Sequence, residues 1–384
     1  MIFLRSFGCA ENYYRNQELC AELALKGFDV YNQPIGSDRQ AIRNNEEMAI
    51  LQKANLVIVN TCTISDESEK TNQWNFIKRS AKLNNKAKIA ITGCSLRNPF
   101  SFFSALKIKN PVSIISNKAD ILLLAKNVSK KNGHKRSKSD QVPMAVSGRF
   151  YCMLNSGCMR ACSFCACSRY VFKNKDDRPI NNILKQIRNA QSLGYSHIEF
   201  AGPCPGDWKD PNDRSYRFSD LLNTILKTTT LTIDFLELHP LNLDRSLMKV
   251  LSHDRVRKEE ISIPIQSASD KILGLMKRGY NSKYLHRLFK KLFKEIPDIK
   301  VSTDIIVGFP FEDKQDIRRT LSFLSSYPFS CIDVYTYSER RGTLASLLKP
   351  LDPRRFNEHY RLLLKCKSLR DKFNFLSSAN RSRP

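Results

Sequence analysis

Short apolar runs alternate with stretches whose apolar positions recur every three or four residues, and this alternation persists almost to the end of the chain. Over residues 1–125 the runs Ile2–Ser6, Leu56–Asn60, Lys88–Thr92 and Val112–Ser116 predict strands, with Tyr14–Lys26 and Asn45–Ala54 as amphipathic helices between them. Such alternation implies an α/β domain with a largely parallel sheet, whose ligands sit beyond the carboxyl ends of its strands. From residue 149 further strands are expected at Phe150–Leu154, His197–Ala201, Leu231–Leu238, Glu260–Pro264, Lys300–Val307 and Ser330–Tyr337. Helices are expected at Ile180–Ser192, Lys283–Lys294 (with Ser282 as N-cap) and Asp313–Ser326. Six strand–helix units without an obvious return predict a partial TIM barrel over 149–350. Residues 126–148 read as a linker, because Ser129–Ser139 has no apolar period and is strongly basic. The tail, 351–384, reads as one basic amphipathic helix, Arg354–Phe375, with no strands after it.

Composition changes the setting more than the fold. Of 384 residues, 41% are hydrophobic and 10% aromatic, as in a globular protein. No apolar run approaches the roughly eighteen residues of a membrane helix, and the first strand lacks the features of a signal peptide, so a cytoplasmic location and no membrane partner are expected. Twelve cysteines in that setting favour metal or redox chemistry over disulfides. The charge of +26, from 63 Lys and Arg against 37 Asp and Glu, favours a polyanionic partner such as RNA or the ribosome; a genome-wide bias toward basic residues is the bland alternative.

The candidate chemistry centres on Asn155-Ser-Gly-Cys158-Met-Arg-Ala-Cys162-Ser-Phe-Cys165. Three thiolates in one tight loop suit an iron–sulfur cluster; with Cys167 as a fourth ligand, zinc is the alternative. Three more cysteines directly follow strands of the first domain: Cys9, Cys62 and Cys94. Loops at one sheet edge can bring them to a single site. Cys20, between Leu19 and Leu23, fits an ordinary core position. Cys204 lies in a loop expected to face the barrel cavity, where its thiol reads as incidental.

The Cys158–Cys165 loop resembles the CxxxCxxC loop of the radical S-adenosylmethionine (SAM) superfamily. Gly8-Cys9-Ala-Glu-Asn12, Asn60-Thr61-Cys62 and Thr92-Gly93-Cys94 resemble the amino-terminal motifs of the radical SAM methylthiotransferases. So do Ile263–Ser269, Leu275–Tyr280, Ser302–Pro310 and Tyr337–Thr343, and His239-Pro240 is similar to that family's Ser-His-Pro. The resemblance implies two 4Fe–4S clusters, one on Cys158, Cys162 and Cys165, the other on Cys9, Cys62 and Cys94. It implies SAM cleaved to a 5′-deoxyadenosyl radical at the first, and a sulfur carried at the second. It places Gln266, Ser267, Arg278, Asp304 and Phe309 around the cofactor, with Arg278 meeting a carboxylate and Phe309 flanking adenine; for Phe309 and Pro264, packing is as good an account. No catalytic side chain is implied.

The expected activity is insertion of sulfur and a methyl group at C2 of an N6-modified adenosine beside the tRNA anticodon, position 37. Methylthiolation of a ribosomal-protein aspartate, or a non-catalytic iron–sulfur RNA-binding relative, are the alternatives. A flavodoxin- or ferredoxin-type electron donor, a sulfur source and a monomeric state complete the expectation. The chain departs from the family pattern at Arg15-Asn16-Gln17, Ser168–Asp177, Ala201–Gly206, Phe311 and Leu344, and in lacking the small RNA-binding barrel called TRAM.

Overall fold

In the first 100 residues the strand segments carry unbroken apolar runs, Ile2–Leu4, Leu56–Val59 and Ile89–Ile91, rather than alternating ones, the pattern of a parallel sheet covered on both faces. The computed structural model describes residues 1–7, 10–32, 45–62, 73–97, 108–128, 149–166, 175–235, 237–259 and 261–375. These residues fall into two compact units, Met1–Met153 with Lys185–Ala201, and Leu154–Leu184 with Gly202–Pro384. The expected linker segment Ser129–Ser139 lies outside the described residues.

The first unit runs β1 (Ile2–Ser6), α1 (Ala10–Leu25), β2 (Val30–Asn32), α2 (Asn45–Lys53), β3 (Leu56–Thr61), α3 (Trp74–Leu83), β4 (Lys88–Gly93), β5 (Val112–Ile114), α4 (Lys118–Val128) and β6 (Arg149–Met153). Its five-stranded sheet has the order β2-β1-β3-β4-β5, and all its pairings are parallel. Strand parity assigns the faces. Phe3, Val57, Val59, Ile89 and Ile91 pack with Leu51 of α2 and Ile77 of α3. Ile2, Leu4, Leu56, Ile58 and Ala90 pack with Leu19, Cys20 and Leu23 of α1 and with Ile121 and Ala125 of α4. Cys20 is therefore core, as its neighbours imply. The chain then continues through α5 (Ile180–Ser192) and β7 (His197–Ala201), which pairs in parallel with β6.

The second unit contains α6 (Phe218–Thr228), β8 (Thr232–Asp234), α7 (Arg245–Leu251), β9 (Ile261–Ser262), α8 (Asp270–Leu275), α9 (Ser282–Glu295), β10 (Val301–Val307), α10 (Lys314–Ser325), β11 (Cys331–Thr336), α11 (Pro353–Lys365) and β12 (Phe373–Phe375). Strands β9 to β12 form a parallel sheet in the order β12-β11-β10-β9. Strand β9 is shorter than the expected Glu260–Pro264, because Pro264 has no N–H to continue the ladder. Pairing resumes only as an isolated bridge between Gln266 and Ile305.

Two local expectations are corrected. The N-cap of α9 is Asn281, whose side chain accepts from the Tyr284 amide at 2.9 Å, while the Ser282 amide is held by Asp270. The tail is not one helix over Arg354–Phe375, and a strand does follow it. Cys366 leaves helical geometry with ψ 90°, and after a short 3₁₀ turn Phe373, Asn374 and Phe375 pair in parallel with Ile332, Asp333 and Val334. An apolar run that short is compatible with either structure, and the open edge of β11 decides it.

Helix α11 is docked rather than free. Its Phe356 ring occupies the space a side chain on Gly308 would need (φ 83°), and its His359 Nδ1 lies 3.3 Å from buried Glu312, whose carboxylate also accepts from the Gly308 amide. Next to this contact Phe311 holds φ 64° while half of its surface is exposed. A left-handed non-glycine residue costs about 1–2 kcal/mol. Phe311→Gly is expected to raise unfolding stability by about 1 kcal/mol, read as a higher urea midpoint at unchanged m-value.

Candidate metal and cofactor centre

The cysteine loop of the second unit is anchored at both ends. At its start the buried Asn155 donates to the Cys204 carbonyl at 3.1 Å, and Arg178 and Ser156 amides bond to Leu154 and Asp176 carbonyls. Near its end Ser163 is stitched into the following structure: its hydroxyl donates to Leu275 O at 2.7 Å, its amide to Met276 O, and its carbonyl accepts from Ala345 N. Between these anchors Cys158, Cys162 and Cys165 lie within electrostatic range of one another. Among the described residues no three Cys, His, Asp or Glu side chains close on a single-ion point. Three thiols on one short loop are the donor set of a cluster, which distributes its sulfur ligands over separate irons. Cys167, the possible fourth zinc ligand, lies outside the described residues.

Burial pushes the Cys158 thiol up to about 11 and raises Cys162, against the opposing pull of Arg278. These thiols are neutral until a metal displaces their protons, as iron ligation requires. The buried Arg278 donates through Nη1 to Cys162 Sγ at 3.4 Å, through Nε to Tyr280 OH at 2.9 Å and through Nη2 to Pro264 O at 2.8 Å. Glu237 and Asp304 act on it by longer-range attraction.

Around this cation the cavity wall is polar. Asp304 is pushed up to about 8, first by burial and then by Glu237 and Asp333, so it stands as a neutral acid able to donate. Glu237 is open to solvent yet ringed by protein, as a group on the wall of a cleft is, and burial also raises its carboxyl. His239 is held neutral, down to about 2, by burial and then by Arg278 and Arg160. Its Nδ1 accepts from Leu241 N, which leaves the proton on a buried Nε2 without a partner. Gln266, at φ 65°, likewise buries Oε1 unpartnered. Buried polar atoms without partners and a strained backbone fit a ligand with matching donors and acceptors, such as the amino acid and nucleoside groups of SAM.

Two expected cofactor residues have other occupations. The Ser267 hydroxyl accepts from Ser269 N and pairs with Thr320 Oγ1. Phe309, fully buried, packs with Ile272, Met276 and Ala345. Glu237 escaped sequence reasoning, although a carboxylate three residues beyond a strand, two before His239-Pro240, was a usable signal. Also unforeseen is a network behind the loop. Arg160 donates to Cys204 Sγ at 3.4 Å and pairs with Asp207 at 2.5 Å, and Asp207 in turn accepts from Asn242 at 2.6 Å.

In the first unit the register pairs Asn60 with Thr92 and Thr61 with Gly93, so Cys62 and Cys94 emerge side by side at one sheet edge, both buried. Asn12 ties the edge together: its side-chain amide donates to Phe7 O and Thr61 O, its carbonyl oxygen Oδ1 accepts from Cys94 Sγ at 3.4 Å, and its backbone carbonyl accepts from Asn60. Gln73 brackets Cys62 with reciprocal bonds to its amide and carbonyl. Gly93, at φ 103°, has no room for a Cβ against Thr61 O and Asn60. Cys9 lies outside the described residues.

Residues 153–324 match the radical SAM superfamily, and 39–101 the uncharacterized protein family UPF0004. The chain is similar to tRNA-2-methylthio-N(6)-dimethylallyladenosine synthase of Thermodesulfovibrio yellowstonii, 27% identical over 90% of this chain and 78% of that one. The enzyme of the same name from Bacillus subtilis is 26% identical over 92% and 69%, and that of Geobacillus kaustophilus 25% over 90% and 65%. In fold the chain is similar to the radical SAM methyltransferase TsrM of Kitasatospora setae with cobalamin and a [4Fe-4S] cluster bound, at TM-score 0.61 and 13% identity over 90% of this chain and 76% of that one. The chain thus combines a parallel α/β domain with a radical SAM domain over residues 153–324, the kind of domain that uses SAM and a 4Fe–4S cluster. Methylthiotransferase is the type of the relatives that match about nine-tenths of the chain.

Asn12→Ala should loosen the Cys62–Cys94 edge and lower total bound iron, while SAM cleavage, which depends on the other loop, persists; iron assay and 5′-deoxyadenosine release separate the two. Folded Asp304 keeps its proton to about pH 8, whereas an Asp in the unfolded chain ionises near 3.8. The folded chain therefore holds more protons across that window, and stability falls as pH rises through it. Asp304→Asn should flatten this decline by on the order of a few kcal/mol, seen by comparing urea midpoints at about pH 5 and about pH 8.

Proposed function

We infer that the protein methylthiolates tRNA, and that its target is C2 of an N6-modified adenosine next to the anticodon. The observation that carries this reading is the pairing, in one chain, of two cysteine sets on separate units. Cys158, Cys162 and Cys165 would hold the SAM-binding cluster; Cys62 and Cys94, with Cys9, would hold the second. Relatives named tRNA-2-methylthio-N(6)-dimethylallyladenosine synthase match over about nine-tenths of the chain, and the charge of +26 suits a polyanionic substrate.

When bound, the cluster and SAM supply the radical that activates an inert C–H bond. The chain's own residues supply position and enclosure. Arg278 fixes Cys162 and supplies positive charge beside the thiolates. The neutral Asp304, His239 Nε2–H and Gln266 Oε1 supply hydrogen-bonding groups for SAM. The Asn12 and Gln73 bonds fix where a sulfur on the second cluster would be presented.

Nucleoside mass spectrometry of tRNA from a deletion strain tests this. Loss of a 2-methylthio-adenosine and accumulation of its unmethylthiolated precursor are expected, reversed by the wild-type gene and not by Cys158→Ala. An unchanged tRNA nucleoside profile would sink the reading. In the purified protein, replacing Cys158, Cys162 and Cys165 together by Ala should remove about half of the iron.

A further inference from the structure

Beside the cofactor centre, between α8 and the start of α9, the second unit opens a cleft of about 470 Å³. Its floor is aromatic. Tyr280 and Tyr284 stack with ring centroids 6.1 Å apart and planes inclined by 23°. Both rings are fixed at their tips: Tyr284 OH donates to Pro240 O at 3.1 Å, and Tyr280 OH donates to Ile265 O at 3.0 Å while accepting from Arg278. Tyr284 is only partly buried, so a fixed ring is available for stacking without further loss of side-chain freedom.

The cleft's rim is cationic. Lys277 and Arg287 line it and are exposed, and among the described residues that line it there is no carboxylate. Lys277 stands at φ 55°, a left-handed conformation that disfavours lysine and fixes where its side chain leaves the backbone. Gly274 faces open space, with nothing within 4 Å of where a Cβ would be. A rigid aromatic face with two unopposed cations around it matches a nucleotide, base on the ring and phosphates on the cations.

Its location gives the match a role. Cys162 touches Arg278, Arg278 touches Tyr280, and Tyr280 stacks on Tyr284. The cleft therefore lies two side chains away from a cluster ligand, about the reach of a neighbouring nucleotide. We propose that the Tyr284–Lys277–Arg287 cleft binds a nucleotide of the RNA substrate flanking the one modified. This rests on the RNA reading above and adds to it the place where the adjoining strand is gripped.

The test measures binding of a fluorescent anticodon stem–loop RNA to the iron-loaded protein across a salt titration. Lys277→Gln with Arg287→Gln should flatten the slope of log affinity against log salt by about 1.4, the value for two single-strand phosphate contacts. Gly274→Glu, which fills and neutralises the cleft from an open position, should weaken binding roughly tenfold, the scale of one lost stacking contact. Lys290→Gln with Lys294→Gln, on α9 outside the cleft, provides the comparison, and melting curves confirm that each variant folds. Tight wild-type binding that survives both cleft variants, or falls equally with the α9 pair, overturns the cleft assignment and leaves the RNA reading standing. No measurable wild-type binding overturns the RNA reading itself.

Discussion

A buried guanidinium governs this molecule. Removing a cation from water costs several kcal/mol unless its donors are satisfied and an opposite charge lies close. Arg278 meets the first condition with a sulfur, a phenol and a carbonyl, and the second only through carboxylates at longer range and the thiol of Cys162. A metal-bound Cys162 would be a thiolate, so a cluster held there would supply a close negative charge. Cofactor binding and charge balance in the barrel are one event, and the loop on Ser163, the stacked tyrosines and the strand end at Pro264 all converge on the same side chain.

The second unit concentrates its backbone strain here. The three non-glycine residues with positive φ among the described residues, Gln266, Lys277 and Phe311, all follow strands or helices bordering the centre. In the first unit the constraint takes the form of space. Gly93 lets β4 approach β3 closely enough for the two cysteine-bearing strand ends to share Asn12. One domain holds its site by tension in loops, the other by close approach of strands.

Much of this was legible in the sequence, and the limits are physical. β1, α5 and β7 match their expected spans residue for residue, because their apolar period and bounding residues agree. Cys158, Cys162 and Cys165 stood out because one short loop carries them. Strand β12 did not, since three residues have no period, and neither did the Asn281 cap, which competes with an adjacent serine of similar propensity. A motif fixes residue type and not direction, so where Ser267 and Phe309 point is legible only in the fold. Ser267 turns to Thr320, and Phe309 to the core. Cys204 looked isolated until its contact with Arg160 joined two loops more than forty positions apart.

The parallel pairing of β11 with Phe373–Phe375 has a consequence for biosynthesis. The sheet that carries the cofactor centre is completed by residues made some two hundred positions after the cysteine loop. While they remain in the exit tunnel, β11 presents an unpaired edge, and Gly308 lacks the helix that covers it. The cysteine loop, some two hundred residues earlier, is by then long since exposed. Its thiols are made well before the sheet that backs them is complete, so cluster assembly on this chain belongs after β12 has docked rather than before it.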